Sequence, residues 1–207
     1  MTGAGRTDAG VHAREMFAHF DTDVFFEGAQ LVHRLNAYLP ENIAIDSIVE
    51  VPREAHARFD ALERTYEYWI VQNKDPFLME WAHYVKYPLN MGQMNKAAAI
   101  LVQYKDFECF SKSNTDVKTF FCDVGKAQWT KEGNKLVFTI SADRFLRNMV
   151  RAIVGTLLDV GLGKSSPSDM KRILASKDRG KAGVSVPAKG LYLTAIKYPK
   201  NIIDRNG

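Results

Sequence analysis

The chain has 207 residues, of which 46% are hydrophobic and 25% are charged, as is typical of a globular protein that buries a sizeable core. No stretch approaches the roughly eighteen uninterrupted apolar residues of a membrane-spanning helix, so we expect no membrane partner. The net charge of +4 permits binding to a nucleic acid but does not by itself require it.

The chain opens on small residues that surround a few polar ones, Gly3-Ala4-Gly5-Arg6-Thr7-Asp8-Ala9-Gly10-Val11-His12-Ala13. Small residues let another molecule approach the backbone closely, and glycine permits turns that other residues resist. Arg6 and Asp8 place a guanidinium two residues from a carboxylate, which predicts chemistry on an anionic substrate. The alternative is a tight turn in which Asp8 caps the next segment.

Other familiar kinds of site do not fit this loop. A dinucleotide-binding fingerprint needs a preceding strand and the spacing GxGxxG, and a P-loop needs Gly-Lys followed by Ser or Thr. A metal site could draw on Asp8 and His12, but no neighbouring residue completes a shell of the usual kind. We therefore predict no metal and no cofactor for this chain.

Hydrophobic periodicity and turn residues predict an alternation of strands and helices along the rest of the chain. The predicted strands cover residues 16–21, 43–51, 58–71, 119–130, 135–142 and 190–198. The predicted helices cover residues 30–39, 91–104, 144–160 and 166–176, and residues 177–189 are expected to form a mobile loop. Strands 119–130 and 135–142 are expected to form a hairpin around Glu132-Gly133-Asn134. Interleaved strands and helices with hairpins predict an α+β fold.

Basic residues recur at one helical spacing near the start of the third predicted helix. Arg144, Arg147 and Arg151 have the spacing i, i+3, i+7 and would share one helical face. Such a stripe is either a solvated surface or a face that binds nucleic acid. The loop that carries Arg6 and Asp8 favours the second interpretation.

The N-terminal run closely resembles the signature of the TruA family of tRNA pseudouridine synthases. The resemblance continues in five further segments, RLNAYLP (34–40), HARFDA (56–61), RTYEY (64–68), RNMVR (147–151) and GLYL (190–193). Family members normally have a strand, a helix and loops before the signature, so we expect this chain to lack a leading segment.

The resemblance also implies an architecture. We expect two ferredoxin-like (RRM-like) halves, residues 1–52 and 53–207, whose strands form one continuous, bent antiparallel sheet. A central cleft across this sheet would bind RNA.

The resemblance implies a role for each of five residues. Asp8 matches the catalytic aspartate, and Tyr66 matches a tyrosine that packs against the target base. Arg151 matches a basic residue whose guanidinium can hold the aspartate in a bidentate pair. Leu191 matches an apolar residue that lines the uracil pocket, and Arg6 matches a residue that helps to displace the base from its stack.

The implied function is the isomerisation of uridine to pseudouridine in the tRNA anticodon stem-loop, at positions 38–40, by a cytoplasmic homodimer without a cofactor. Whether Asp8 attacks the base, attacks the sugar or removes a proton stays open. One alternative is an RNA-binding fragment without catalytic activity, because the leading segment is absent. Another is a nucleoside hydrolase, which would need a second carboxylate in the cleft; the next one along the chain is Glu15.

Overall fold

The computed structural model describes residues 1–112 and 117–203. Strands and helices are interleaved along the chain, which agrees with the predicted α+β class. The strands are β1 (Thr2–Gly3), β2 (His12–Ala13), β3 (Ala18–His19), β4 (Glu63–Val71), β5 (His83–Tyr84), β6 (Val124–Glu132), β7 (Lys135–Ala142) and β8 (Leu191–Lys197). The helices are α1 (Gly28–Tyr38), α2 (Met91–Leu101), α3 (Met149–Gly161) and α4 (Asp169–Ser176), with short 3-10 helices at Glu108–Phe110, Arg179–Lys181 and Ala188–Gly190.

Within the described residues, the main sheet has the strand order β2-β8-β4-β7-β6, and β5 pairs with β4. The pairs β8–β4, β4–β7 and β7–β6 are antiparallel. Strand β2 is parallel to β8, and β5 is parallel to β4. The sheet is therefore mixed, and the expectation of an entirely antiparallel sheet is wrong. Strands β1 and β3 form a separate antiparallel pair.

The main core lies between one face of this sheet and helices α2, α3 and α4. Tyr68 and Ile70 of β4 point to this face, and Trp69 and Val71 alternate to the other, where they form a smaller cluster. Full burial of one large apolar side chain contributes about 1.5–3 kcal/mol. The first face buries many more such side chains than the second, so it contributes most of the stability. Its largest side chains that are almost fully buried include Trp129, Phe107, Phe110, Phe138, Met149 and Ile153.

The segment 43–51 is predicted as a strand but forms no strand in the structure. The side chain of Asn36 on α1 donates to the carbonyl of Ile45 at 2.8 Å and accepts from its N–H at 2.7 Å. These two bonds occupy the backbone groups that a ladder would need, so the apolar pattern of the segment does not lead to a strand. Helix α1 itself contains no buried residue.

The third predicted helix begins five residues later than expected. Asn148 has a φ of 66°, a left-handed conformation that an α-helix cannot include, and α3 starts at Met149. Arg144 and Arg147 therefore lie in the loop before the helix, and only Arg151 lies on it. The predicted helical stripe of three arginines is wrong.

The hairpin near Gly133 is confirmed, with β6 and β7 joined by a two-residue turn in which Gly133 has a φ of 60°. Several other elements are shorter than predicted; β4, for example, starts at Glu63, and α2 ends at Leu101. Cys109 and Cys122 are both free and buried, and burial raises the pKa of each thiol to about 12. No helix in the described ranges has the length and apolar character needed to cross a membrane.

Candidate active site

The loop that carries Asp8 is held at both of its ends. On the side before Asp8, strand β1 pairs with β3, and the N–H of Ala4 donates to the carbonyl of Phe17 at 2.8 Å. On the side after Asp8, strand β2 pairs with β8, and the N–H of Arg14 donates to the carbonyl of Leu193 at 2.8 Å. The loop therefore lies at one edge of the main sheet, beside the start of β8.

Asp8 begins a tight turn in this loop. The N–H of Val11 donates to the carbonyl of Asp8 at 3.2 Å, and Gly10 has a φ of 80°, as the third residue of a type II turn requires. The expected turn is thus present in the backbone. The carboxylate of Asp8 does not serve as a cap, because it contacts α3 instead.

Arg151, the third residue of α3, forms an ion pair with Asp8 in which Nη1 lies 2.8 Å from Oδ2. The side chains are 21% and 27% exposed, so the pair is shielded from water more than a surface pair is. The contact involves one carboxylate oxygen, whereas a bidentate pair was expected. Nε of Arg151 also donates to the carbonyl of Val186 at 2.7 Å, which fixes the plane of the guanidinium.

Val186 belongs to a segment, residues 179–187, that crosses α3 and that we call the strap. Arg179 donates from Nη1 to the carbonyl of Gly183 and from Nη2 to Oγ of Ser185 at 2.8 Å. The side-chain amide of Asn148 donates to the same Ser185 oxygen at 2.6 Å. These bonds fix the segment, although the sequence predicts a mobile loop there.

The strap approaches α3 so closely that two glycines are needed. A Cβ on Gly155 would clash with the carbonyl group of Val184, and a Cβ on Gly183 would lie 2.6 Å from the backbone of Gly155 and Thr156. Oγ1 of Thr156 accepts from the N–H of Gly183 at 2.8 Å. The contact is backbone against backbone, which leaves the strap little freedom to move relative to Arg151.

Tyr66 on β4 lies near enough to Asp8 for the charge of that carboxylate to act on its phenol. Burial raises the pKa of its phenol, the positive charge of Arg64 opposes that rise, and the negative charge of Asp8 adds to it. The phenol is therefore neutral at physiological pH. Its ring meets Phe145 edge to face with 5.1 Å between the ring centroids. Tyr66 packs against both the main core and a small cluster that includes Ala4.

Leu191 is buried in the main core on the same face of the sheet, opposite Tyr68 in the register of β8 and β4. Tyr68 is a fully buried strand residue, and its hydroxyl donates to the carbonyl of Pro187 at 2.8 Å. A Cβ on Gly190 would lie 2.8 Å from Cζ of Tyr68. The residue before Leu191 therefore has to be a glycine for β8 to approach β4 here.

The structure brings Asp8, Arg151 and Tyr66 together, and it places Leu191 in the core on the same side of the sheet. Arg6 is exposed in the loop of Asp8. The carboxylate of Glu15 accepts from the N–H of Ile196 at 2.7 Å and so is bound to β8. Among the described residues, no group of three or more His, Cys, Asp or Glu side chains is placed to hold a metal ion.

The sequence did not reveal two features of the site, the strap and the side chain of Arg64. Both act on residues that are distant in the sequence. A signal for the strap was present in its Gly-Val-Ser-Val-Pro run, in which two β-branched residues stand between a glycine and a proline. Glycine and proline often mark the ends of an ordered segment. A signal for Arg64 was present too, because it is a charged residue at the second position of a strand whose C-terminal half is buried.

Comparison with known proteins places the chain in a family. Residues 97–199 match the family model described as tRNA pseudouridine synthase. The chain is 50% identical to tRNA pseudouridine synthase A of Parabacteroides distasonis over 207 residues, which cover 98% of this chain and 81% of the relative. It is 49% identical to the protein of the same name from Bacteroides fragilis, covering 99% of this chain and 82% of the relative.

A more distant relative is the tRNA pseudouridine synthase A of Exiguobacterium sibiricum, at 37% identity over 97% of this chain and 81% of the relative. Identities of this size over nearly the whole chain leave no doubt about ancestry. The chain belongs to the tRNA pseudouridine synthase family, a family of isomerases that act on tRNA.

Proposed function

We propose that this protein isomerises uridine to pseudouridine in tRNA, with Asp8 as the catalytic residue. The observation that carries the proposal is the ion pair between Asp8 and Arg151, which lies beside the Tyr66 ring in a chain of this family. The pair supplies an oriented carboxylate next to an aromatic side chain. A displaced base can react with the carboxylate and stack on the aromatic side chain.

The reaction rearranges bonds without net oxidation. The bond between uracil N1 and ribose C1′ breaks, the base turns, and a bond forms between C5 and C1′. The proton on C5 is lost to solvent, and N1 gains one. An ionised carboxylate can attack a carbon, stabilise a cationic sugar or accept a proton, so Asp8 suits each of these routes.

The target uridine has to leave its stack before Asp8 can reach it, at a cost of a few kcal/mol. We propose that Tyr66 offsets part of this cost by stacking on the base, a contact worth about 1–3 kcal/mol. Leu191 would line the uracil pocket, and the exposed Arg6 would occupy the space that the base leaves. Arg151 would keep the carboxylate of Asp8 in place during the rearrangement.

Four finer proposals rest on the family resemblance. The substrate site is the anticodon stem-loop, positions 38–40, and the protein is a cytoplasmic homodimer. Exposed apolar side chains on and before α1, Tyr38 and Phe25, support an interface there. We also propose two ferredoxin-like halves, residues 1–52 and 53–207. The separate β1–β3 pair supports a distinct first half, and the β2–β8 pairing supports a sheet that continues into the second.

The decisive experiment uses unmodified tRNA transcripts that carry tritium at C5 of uridine. Isomerisation releases tritium into water, and we expect release that stops when the uridines at positions 38–40 are replaced by cytidine. Release of free uracil would instead show a nucleoside hydrolase. Binding of tRNA without any release would favour an RNA-binding protein without catalytic activity.

A further inference from the structure

Arg64 is a charged residue whose side chain makes an unusual set of contacts. It is the second residue of β4, and its guanidinium donates four hydrogen bonds to backbone carbonyls. Nη1 donates to Ala61 at 3.0 Å and to Asp143 at 2.9 Å, and Nη2 donates to Ala4 at 3.1 Å and to Arg58 at 2.6 Å. The guanidinium is thus saturated on two nitrogens by neutral oxygens.

The four carbonyls come from three separate parts of the chain. Ala4 lies in the loop of Asp8, four residues before the carboxylate. Arg58 and Ala61 lie in the segment that leads into β4. Asp143 lies directly after β7, where the loop toward α3 and Arg151 begins. Arg64 therefore links the chain segments on which the two partners of the Asp8–Arg151 pair are carried.

We infer that Arg64 is a positioning residue for the isomerisation, and that it sets the distance between Asp8 and the α3 side of the site. The inference rests on the proposed function. A guanidinium presents a rigid, planar fork of donors, which can bridge carbonyls of several loops at once. A lysine keeps the charge, but its one nitrogen on a flexible stem cannot hold the same four oxygens.

The environment of Arg64 supports this assignment. Burial lowers its pKa from the ordinary value, which means that the folded protein accepts a desolvated cation at this place. Among the described residues the guanidinium has no carboxylate partner within ion-pair distance. Its hydrogen bonds to the loops are therefore the main interactions that offset the free-energy cost of burying its charge. Ala4 is itself buried, in the small cluster against which Tyr66 packs.

The test compares Arg64→Lys with Arg172→Lys, a matched substitution on the exposed face of α4. For Arg64→Lys we expect kcat for tRNA to fall about 10- to 100-fold, with KM within about threefold of the parent value, because a displacement of about 1 Å can cost a hundredfold in rate. Arg172→Lys should leave both constants unchanged. A kcat of Arg64→Lys within twofold of the parent value would overturn the inference.

Hydrogen exchange gives a second readout that does not depend on activity. In Arg64→Lys, we expect faster exchange in residues 1–13 and 56–62, with the exchange of β6 and β7 unchanged. Equal acceleration over the whole sheet would show a structural role only and would overturn the inference. If the parent protein released no tritium, the proposed function would fail, whereas the exchange pattern would still decide whether Arg64 holds the loop of Asp8.

Chemical rescue of Arg64→Ala is a third test, because this variant removes the guanidinium altogether. Arg64→Ala leaves a space that guanidinium ion, added at millimolar concentration, can enter. We expect guanidinium to restore at least part of kcat and methylammonium to restore none, because only the first has the planar fork. Equal effects of the two cations would contradict a role for the fork.

Discussion

Asp8 and Arg151 are 143 positions apart in the sequence, yet Nη1 of Arg151 lies 2.8 Å from Oδ2 of Asp8. The same guanidinium donates from Nε to the carbonyl of Val186, and the N–H of Val186 donates back to the carbonyl of Arg151 at 3.2 Å. The strap therefore holds Arg151 from one side, and Asp8 is held from the other. An oriented carboxylate results from the packing of three distant segments.

Replacement of Asp8 by asparagine tests the role of the carboxylate. Asp8→Asn keeps the size of the side chain and removes its charge, so we expect tritium release to fall more than about a thousandfold, as for other catalytic groups. The dissociation constant for tRNA should stay within about threefold, because basic residues carry the binding. Asp21→Asn, at an exposed position, is the control. Turnover near that of the parent protein would remove Asp8 from the mechanism.

The salt dependence of tRNA binding tests the basic loop before α3. Arg147 is exposed there, and each phosphate contact contributes about −0.7 to −0.9 to the slope of log affinity against log salt. We expect Arg147→Ala to reduce the slope by up to about one unit for every tRNA alike. Arg151→Lys should depress turnover more than binding, because Arg151 is paired with Asp8. An unchanged slope in Arg147→Ala would mean that the RNA follows another path.

Gly190 tests how closely β8 and β4 approach each other. An alanine Cβ there would lie 2.8 Å from Cζ of Tyr68 and 3.0 Å from the carbonyl oxygen of Trp69. Since the Tyr68 ring is buried and bonded to Pro187, it cannot give way, and we expect Gly190→Ala to lower the free energy of unfolding by about 1–3 kcal/mol. Gly5→Ala, where a Cβ meets nothing within 4 Å, is the control in urea unfolding. Equal stability of the two variants would disprove the close approach.

The pH dependence of stability tests the environment of His83 on β5. Burial lowers the pKa of His83, and the positive charge of Lys189 lowers it further. Above the ordinary histidine pKa of about 6.5, His83 is neutral in both the folded and the unfolded protein. Below that pH, His83 binds a proton in the unfolded protein only, until the pH reaches the lower pKa of the folded protein. The free energy of unfolding should therefore fall in that window as the pH decreases, by at most about 1.4 kcal/mol per pH unit.

The measurement for His83 is urea unfolding of the parent protein, His83→Gln and the control His33→Gln, whose side chain is exposed. We expect the acid-side loss of stability to be smaller in His83→Gln than in the other two proteins. If all three proteins lost stability in parallel between about pH 7 and pH 5, another group would be responsible.

Local chemistry made several elements predictable from the sequence. Helix α2 has its apolar residues at helical spacing, the β6–β7 hairpin has a glycine at a turn that needs a positive φ, and α1 ends before Pro40. In each case the deciding interactions join residues that are close together in the chain. The turn around Asp8 is local in the same sense, because Asp8 and Val11 are bonded through the backbone across Gly10.

Two errors have a related cause. The segment 43–51 has the apolar content of a strand, but a strand also needs a partner, and Asn36 occupies the backbone of Ile45 instead. The arginine stripe assumed a helix that starts near residue 144, and the left-handed Asn148, whose amide bonds Ser185 of the strap, prevents it. A partner from elsewhere in the fold decided both outcomes.

By itself, the sequence determined the fold class and the family. Tertiary structure alone decided that Arg151 contacts one oxygen of Asp8, that Val186 fixes the guanidinium, and that Arg64 joins the surrounding loops. The physical reason is that helix and turn propensities act over a few residues, whereas these hydrogen bonds form only after the sheet and α3 have packed.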